Sequence, residues 1–169
     1  GSISCATCHD PARAFADGKR VAEGIGGRQG ERNSPTLLNA MFNASQFWDG
    51  RAGSLEEQAI MPLTNPDEMG NVSHEQVIAR LDSIPEYVKE FREAFGARPS
   101  INLFARAIAS FERSLVSGNS ALDRYLAGDV NALSDSARNG LMLFRSKARC
   151  GVCHSFNQAF AAFATFPFL

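Results

Sequence analysis

The chain has 169 residues, 44% of them hydrophobic and 21% charged, with 17 Lys and Arg against 18 Asp and Glu. Those fractions fit a folded globular protein and exclude disordered, collagen-like and low-complexity chains. A formal net charge of −1 leaves no basic excess to hold nucleic acid or an anionic membrane. The longest mostly apolar run, Ala159 to Leu169, is too short to span a bilayer.

In chain order, the first feature is Cys5-Ala-Thr-Cys8-His9, with only four residues ahead of it. Residues 10–52 hold nearly half of the glycines and no sustained apolar period, which reads as loop. Ser54-Leu-Glu-Glu57 is a capping box opening a short helix that Pro62 is expected to stop. Ser73-His-Glu-Gln76 opens another with Val77, Ile78 and Leu81 inward, and leaves His74 exposed in its first turn. Pro85 starts a third helix, carrying Val88, Phe91 and Phe95 and closed by Gly96. Ser100 caps a fourth, with Phe104, Ala105, Ile108, Phe111 and Leu115 at helical spacing. Ser120 caps a short fifth that ends at Gly128. Ser134 caps a last helix, with Ala137, Leu141 and Phe144 on one face, leading into Cys150-Gly-Val-Cys153-His154. The expected class is all-α.

Every cysteine lies in one of two Cys-x-x-Cys-His units, which also take two of the three histidines. Cys-x-x-Cys alone fits a redox disulfide or half a zinc site. A His directly after the second Cys, twice, is the signature of c-type haem attachment. The two thiols add to the two vinyl groups of one haem, and the adjacent imidazole lies under the iron. The expected cofactors are therefore two covalently bound haem c groups, on Cys5, Cys8 and His9 and on Cys150, Cys153 and His154. Such attachment implies export, so the periplasm is the expected compartment.

The motifs stand 145 residues apart, a spacing that reads as one haem per domain: residues 1–133 form the first, without its leading helix, and residues 134–169 begin the second. Only 15 residues follow His154, too few to complete a second haem site, so the chain is read as a fragment of a longer two-haem protein. The glycines from Gly24 to Gly30 miss the dinucleotide-binding spacing and follow no strand, which discards a phosphate loop.

The ordered set Ser4-Cys-Ala-Thr-Cys-His-Asp10, Arg32-Asn-Ser-Pro-Thr-Leu-Leu-Asn39, Phe47-Trp-Asp-Gly-Arg-Ala52 and Asn65-Pro-Asp-Glu-Met69 resembles the bacterial di-haem cytochrome c peroxidases and the related MauG-type enzymes. The resemblance covers residues 1 to about 157. It implies reduction of hydrogen peroxide at the first haem, with electrons from a small cytochrome c or cupredoxin arriving through the second. It places Glu68 as the distal acid, Gln58 and Pro62 beside it, Trp48 between the two haems and Asn33 as a calcium ligand. It also admits a homodimer. Many peroxidases of this kind carry a distal His in the segment corresponding to residues 15–30. None is present here, and an open sixth position on the first haem is expected.

Three other readings stand beside this one, among them a haem-based sensor or assembly partner whose catalysis has been lost. Met61 or Met69 as a sixth iron ligand would make the protein an electron carrier. A MauG-type oxidase would act on a protein substrate.

Overall fold

The computed structural model describes residues 2–152, 154–157 and 160–165. Its helices are α1 (Cys5–Cys8), α2 (Leu55–Thr64), α3 (His74–Asp82), α4 (Pro85–Phe95), α5 (Ile101–Ser114), α6 (Ala121–Leu126) and α7 (Asp135–Arg145). Between α1 and α2 runs the expected loop, shaped by 3-10 turns at Pro11–Arg13, Ile25–Gly27 and Ala40–Phe42. Another such turn, Cys150–Val152, carries the start of the second Cys motif.

The helix starts are set by their caps. Ser54, Ser73, Ser100, Ser120 and Ser134 each accept a backbone N–H from the third residue of the helix they precede. At Ser54 and Ser73 the reciprocal bond falls one residue earlier than a capping box places it. The Glu57 carboxylate takes the Gly53 N–H at 2.7 Å, and Gln76 Oε1 takes that of Val72 at 3.1 Å. Gly96, in the left-handed region at φ 72°, closes α4.

The core forms where α2 lies against α5: Leu55 and Ala109 pack with Ala40 of the loop, and Ala59 and Leu63 of α2 and Ala105 of α5 are buried as well. Across that interface Arg113 grips Glu56 through two bonds of 2.7 and 3.0 Å. The buried face of α5 is rotated from the one its periodicity suggests. Ala105, Ala109 and Glu112 point inward, while Phe111 is half-exposed and meets Phe15 edge to face, ring centroids 6.2 Å apart.

Other details depart from the sequence reading as well. Pro62 does not stop α2, which continues to Thr64 with the proline inside it. Pro62 forfeits the bond to the Gln58 carbonyl, and the loop after the helix caps the helix's last carbonyls. Met69 N–H donates to the Pro62 carbonyl, and Asn71 donates to Leu63 through both its backbone and its side chain. His74 is half-buried rather than exposed, with its Nε2 donating to the Ile60 carbonyl at 3.0 Å. The tail, for which the sequence pattern names no element, adds a hairpin to the helical body, β1 (His154–Asn157) antiparallel to β2 (Phe160–Thr165). Among the described residues no helix is long and apolar enough to cross a membrane.

Candidate haem site

The first haem motif occupies a single helical turn. Ser4 caps α1 and exchanges bonds with Thr7, so the turn presents Cys5 and Cys8 as free thiols and ends on His9. The orientation of His9 is set by the loop just after it. Its Nδ1 lies 2.9 Å from the Phe15 carbonyl, an acceptor only, so Nδ1 carries the hydrogen and Nε2 keeps its lone pair for a metal. Aiming that carbonyl requires two consecutive residues in the left-handed region, Ala14 at φ 54° and Phe15 at φ 58°. Such backbone costs of order 1–3 kcal/mol per residue and persists where its surroundings impose it. Here Phe15 N–H donates to Asp10, Ala16 N–H donates to Arg13, and the Thr36 hydroxyl donates to the Ala14 carbonyl. Two free thiols on one turn, beside an imidazole locked in the ligating tautomer, fit a covalently held haem.

Glu68 lies near this turn. It occupies a tight loop at the end of α2, where Asn65 accepts the Asp67 N–H with its side chain and those of Glu68 and Gly70 with its carbonyl. The carboxyl is half-buried and near enough to His9 and Cys8 to interact with both electrostatically. Burial pushes its pKa up from the ordinary carboxylate value, while the Arg51 guanidinium and a hydrogen bond with Asn65 pull the other way. Arg51 is itself held, bonded to Asp49 at 2.8 Å and lying 3.4 Å over the Phe47 ring.

The remaining candidate residues lie on other segments. Gln58 is half-buried on α2, one turn before Pro62. Trp48 is half-exposed, and its indole Nε1–H donates to the Asn33 carbonyl at 2.9 Å, so the structure joins those two residues. Among the described residues no cluster of three or more His, Cys, Asp or Glu side chains is arranged to hold a metal ion. At the other end of the chain, the His154 ring lies 6.4 Å from that of Phe144 on α7. Cys153 falls outside the described residues.

Two features escape the sequence pattern. Glu112, on the inner face of α5, is 4% exposed, and its Oε2 has no hydrogen-bond partner among the described residues. Desolvation pushes its carboxyl up to about 7, with Arg113 opposing and Glu56 adding to the rise. Its spacing from Ala105 and Ala109 carries the signal. The other feature is the docking of residues 24–28 on the Glu68 loop, which no periodicity reveals.

Residues 1–131 match the family model described as di-haem cytochrome c peroxidase. The chain is 45% identical over 157 residues to methylamine utilization protein MauG of Methylorubrum extorquens, covering 92% of this chain and 44% of that protein. It is 44% identical over 156 residues to cytochrome c551 peroxidase of Pseudomonas aeruginosa, covering 90% of this chain and 44% of that one. Among solved structures, a MauG-like protein associated with microbial copper homeostasis superposes with a TM-score of 0.83 at 28% identity, covering 99% of this chain and 49% of that chain. The diheme peroxidase BthA of Burkholderia thailandensis superposes at 0.77 and 28% identity, covering 95% of this chain and 46% of its own. The chain thus spans less than half the length of these relatives.

Proposed function

Because the chain belongs to the di-haem cytochrome c peroxidase family, we propose that it carries the peroxide-reducing site of a periplasmic two-haem enzyme. That enzyme converts hydrogen peroxide to water with electrons from a small cytochrome c or cupredoxin. The observation that carries this reading is the Glu68 carboxyl, half-buried on a braced loop beside His9 and Cys8.

When bound through Cys5, Cys8 and His9, haem supplies the iron that binds peroxide and passes electrons to it. The chain supplies the proton traffic. Glu68 would take a proton from one oxygen of the peroxide and hand it to the other, the one that leaves as water. A carboxyl whose pKa is raised by partial burial serves both steps better than one in bulk water. Gln58 donates a hydrogen bond from its carboxamide to the bound peroxide. Trp48, its indole oriented by the Asn33 carbonyl, serves as the electron route toward a second haem on Cys150, Cys153 and His154. With no histidine in residues 15–30, no imidazole from that segment would have to leave before peroxide binds. Asn33 as a calcium ligand rests on the family resemblance, and a calcium-dependent melting temperature tests it.

Glu68→Gln in the haem-loaded, full-length protein tests the mechanism. The expected result is loss of peroxide turnover with haem content unchanged, and undiminished turnover would remove Glu68 from the mechanism. The oxidised protein is expected to show a high-spin signal that changes on adding peroxide. Two low-spin haems indifferent to peroxide would instead place Met61 or Met69 on the iron and make the protein an electron carrier. The identity to M. extorquens MauG favours a second reading, oxidation of a protein substrate at the same site. Peroxide consumption that requires a protein co-substrate rather than a small donor would establish it.

A further inference from the structure

Residues 22–32 form a short finger. Ala22 exchanges backbone bonds with Gly30 and Arg32, Glu23 pairs with Gln29, and the turn between them closes through Gly24 N–H to the Arg28 carbonyl at 2.7 Å. Its base lies beside the haem motif, with the Glu23 carbonyl 3.8 Å from Cys8 Sγ. Its turn docks on the Glu68 loop. Ile25 N–H donates to the Glu68 carbonyl at 2.7 Å, and the Arg28 guanidinium donates to the Pro66 carbonyl at 3.0 Å.

Gly24 makes this approach possible. Its backbone is extended, so positive φ is not what requires glycine. A Cβ there would stand 2.0 Å from the Asp67 carbonyl oxygen and 2.6 Å from that of Glu68. Both are backbone atoms, so no rotamer change relieves the clash and one of the two loops must move. On its far side the loop is tied to α2 through Met69 and Asn71. Both backbone polar groups of Glu68 are therefore engaged, its N–H by Asn65 and its carbonyl by Ile25.

We infer that the Gly24–Arg28 turn is the positioning element of Glu68, clamping the acid's backbone against α2 so that its carboxyl stays beside His9 and Cys8. The inference rests on the proposed role of Glu68 and extends it to residues that never touch peroxide.

The test uses the haem-loaded, full-length protein carrying Gly24→Ala, with Gly30→Ala as control. At Gly30 a Cβ meets nothing nearer than 3.7 Å, an ordinary contact. Gly24→Ala is expected to lower kcat/KM for peroxide at least tenfold. It should also speed amide hydrogen exchange across residues 62–72 and move the acid limb of the pH profile down, as the Glu68 carboxyl gains water. Gly30→Ala should behave as wild type. Arg28→Ala, an exposed position that leaves the chain free to fold, should lower kcat/KM several-fold with faster exchange in the same segment. The inference is overturned if Gly24→Ala keeps wild-type kinetics and exchange, or if Gly30→Ala loses as much as Gly24→Ala. Glu68→Gln separates the levels. If it retains turnover, the role of Glu68 falls; if it abolishes turnover while Gly24→Ala changes nothing, only the clamp falls.

Discussion

Replacing Glu112 by Gln should stabilise the protein at alkaline pH and do little at acid pH. Glu112 is buried on α5 with Oε2 unpartnered among the described residues, near Cys5 and Glu56, and its carboxyl titrates at about 7 against an ordinary value of 4.5. The difference is roughly 2.5 pH units, each worth about 1.4 kcal/mol, or about 3 kcal/mol in order of magnitude. The sign depends on which state holds the proton more tightly. The folded state does, so the chain is most stable with Glu112 protonated. Stability falls as pH rises from about 4.5 to about 7 and levels off above that. Glutamine keeps the shape and removes the charge, and the cost of burying its amide does not vary with pH. Urea unfolding of both proteins, followed by far-UV circular dichroism at about pH 5 and about pH 8, isolates the charge. The advantage of Glu112→Gln should grow by roughly 2 to 3 kcal/mol between the two. An advantage that stayed constant across that range would refute the reasoning, because it would mean that the carboxyl ionises as if in water.

Three further substitutions probe the site and its scaffold. Arg51→Leu removes the cation that pulls the Glu68 carboxyl down, so the acid limb of the peroxide pH profile should move up, opposite to the effect of Gly24→Ala. Trp48→Phe removes the Nε1–H bond to Asn33 and should slow electron transfer between the haems more than peroxide binding; rapid-mixing kinetics showing equal slowing would leave Trp48 a packing residue. Ser54→Ala deletes the cap of α2, whose Oγ accepts the Glu57 N–H at 3.1 Å, and should cost about 1 kcal/mol in urea unfolding.

What the sequence discloses is whatever short-range chemistry writes into adjacent positions. Serine caps mark helix starts because an N-terminal turn has N–H groups to satisfy whatever lies around it. Cys5, Cys8 and His9 stand out in the sequence because the haem-attachment motif is itself a spacing. Pro62 misleads because losing one donor near a helix end does not stop a helix whose last carbonyls are capped from outside, as they are here by Met69 and Asn71. The face of α5 is misread because Phe111 scores as core by hydropathy, whereas Glu112 is the residue that the packing of α2 and α5 encloses. The clamp of residues 24–28 on residues 66–68 is hidden for a different reason. It joins two loops through carbonyls and a missing Cβ, and main-chain atoms have no letter in the sequence.

The acceptor that orients His9 is also a main-chain atom, the carbonyl of Phe15, and that decides how the site can be lost. No single side-chain replacement deletes it. Many residues can stand at position 15 so long as the two left-handed steps at Ala14 and Phe15 survive. Shortening or lengthening the segment between Asp10 and Ala16 by one residue would carry the carbonyl away and leave the imidazole to turn. The site is therefore tolerant of substitution and brittle to insertion and deletion, and in a lineage of such proteins the length of that turn is what heredity must preserve.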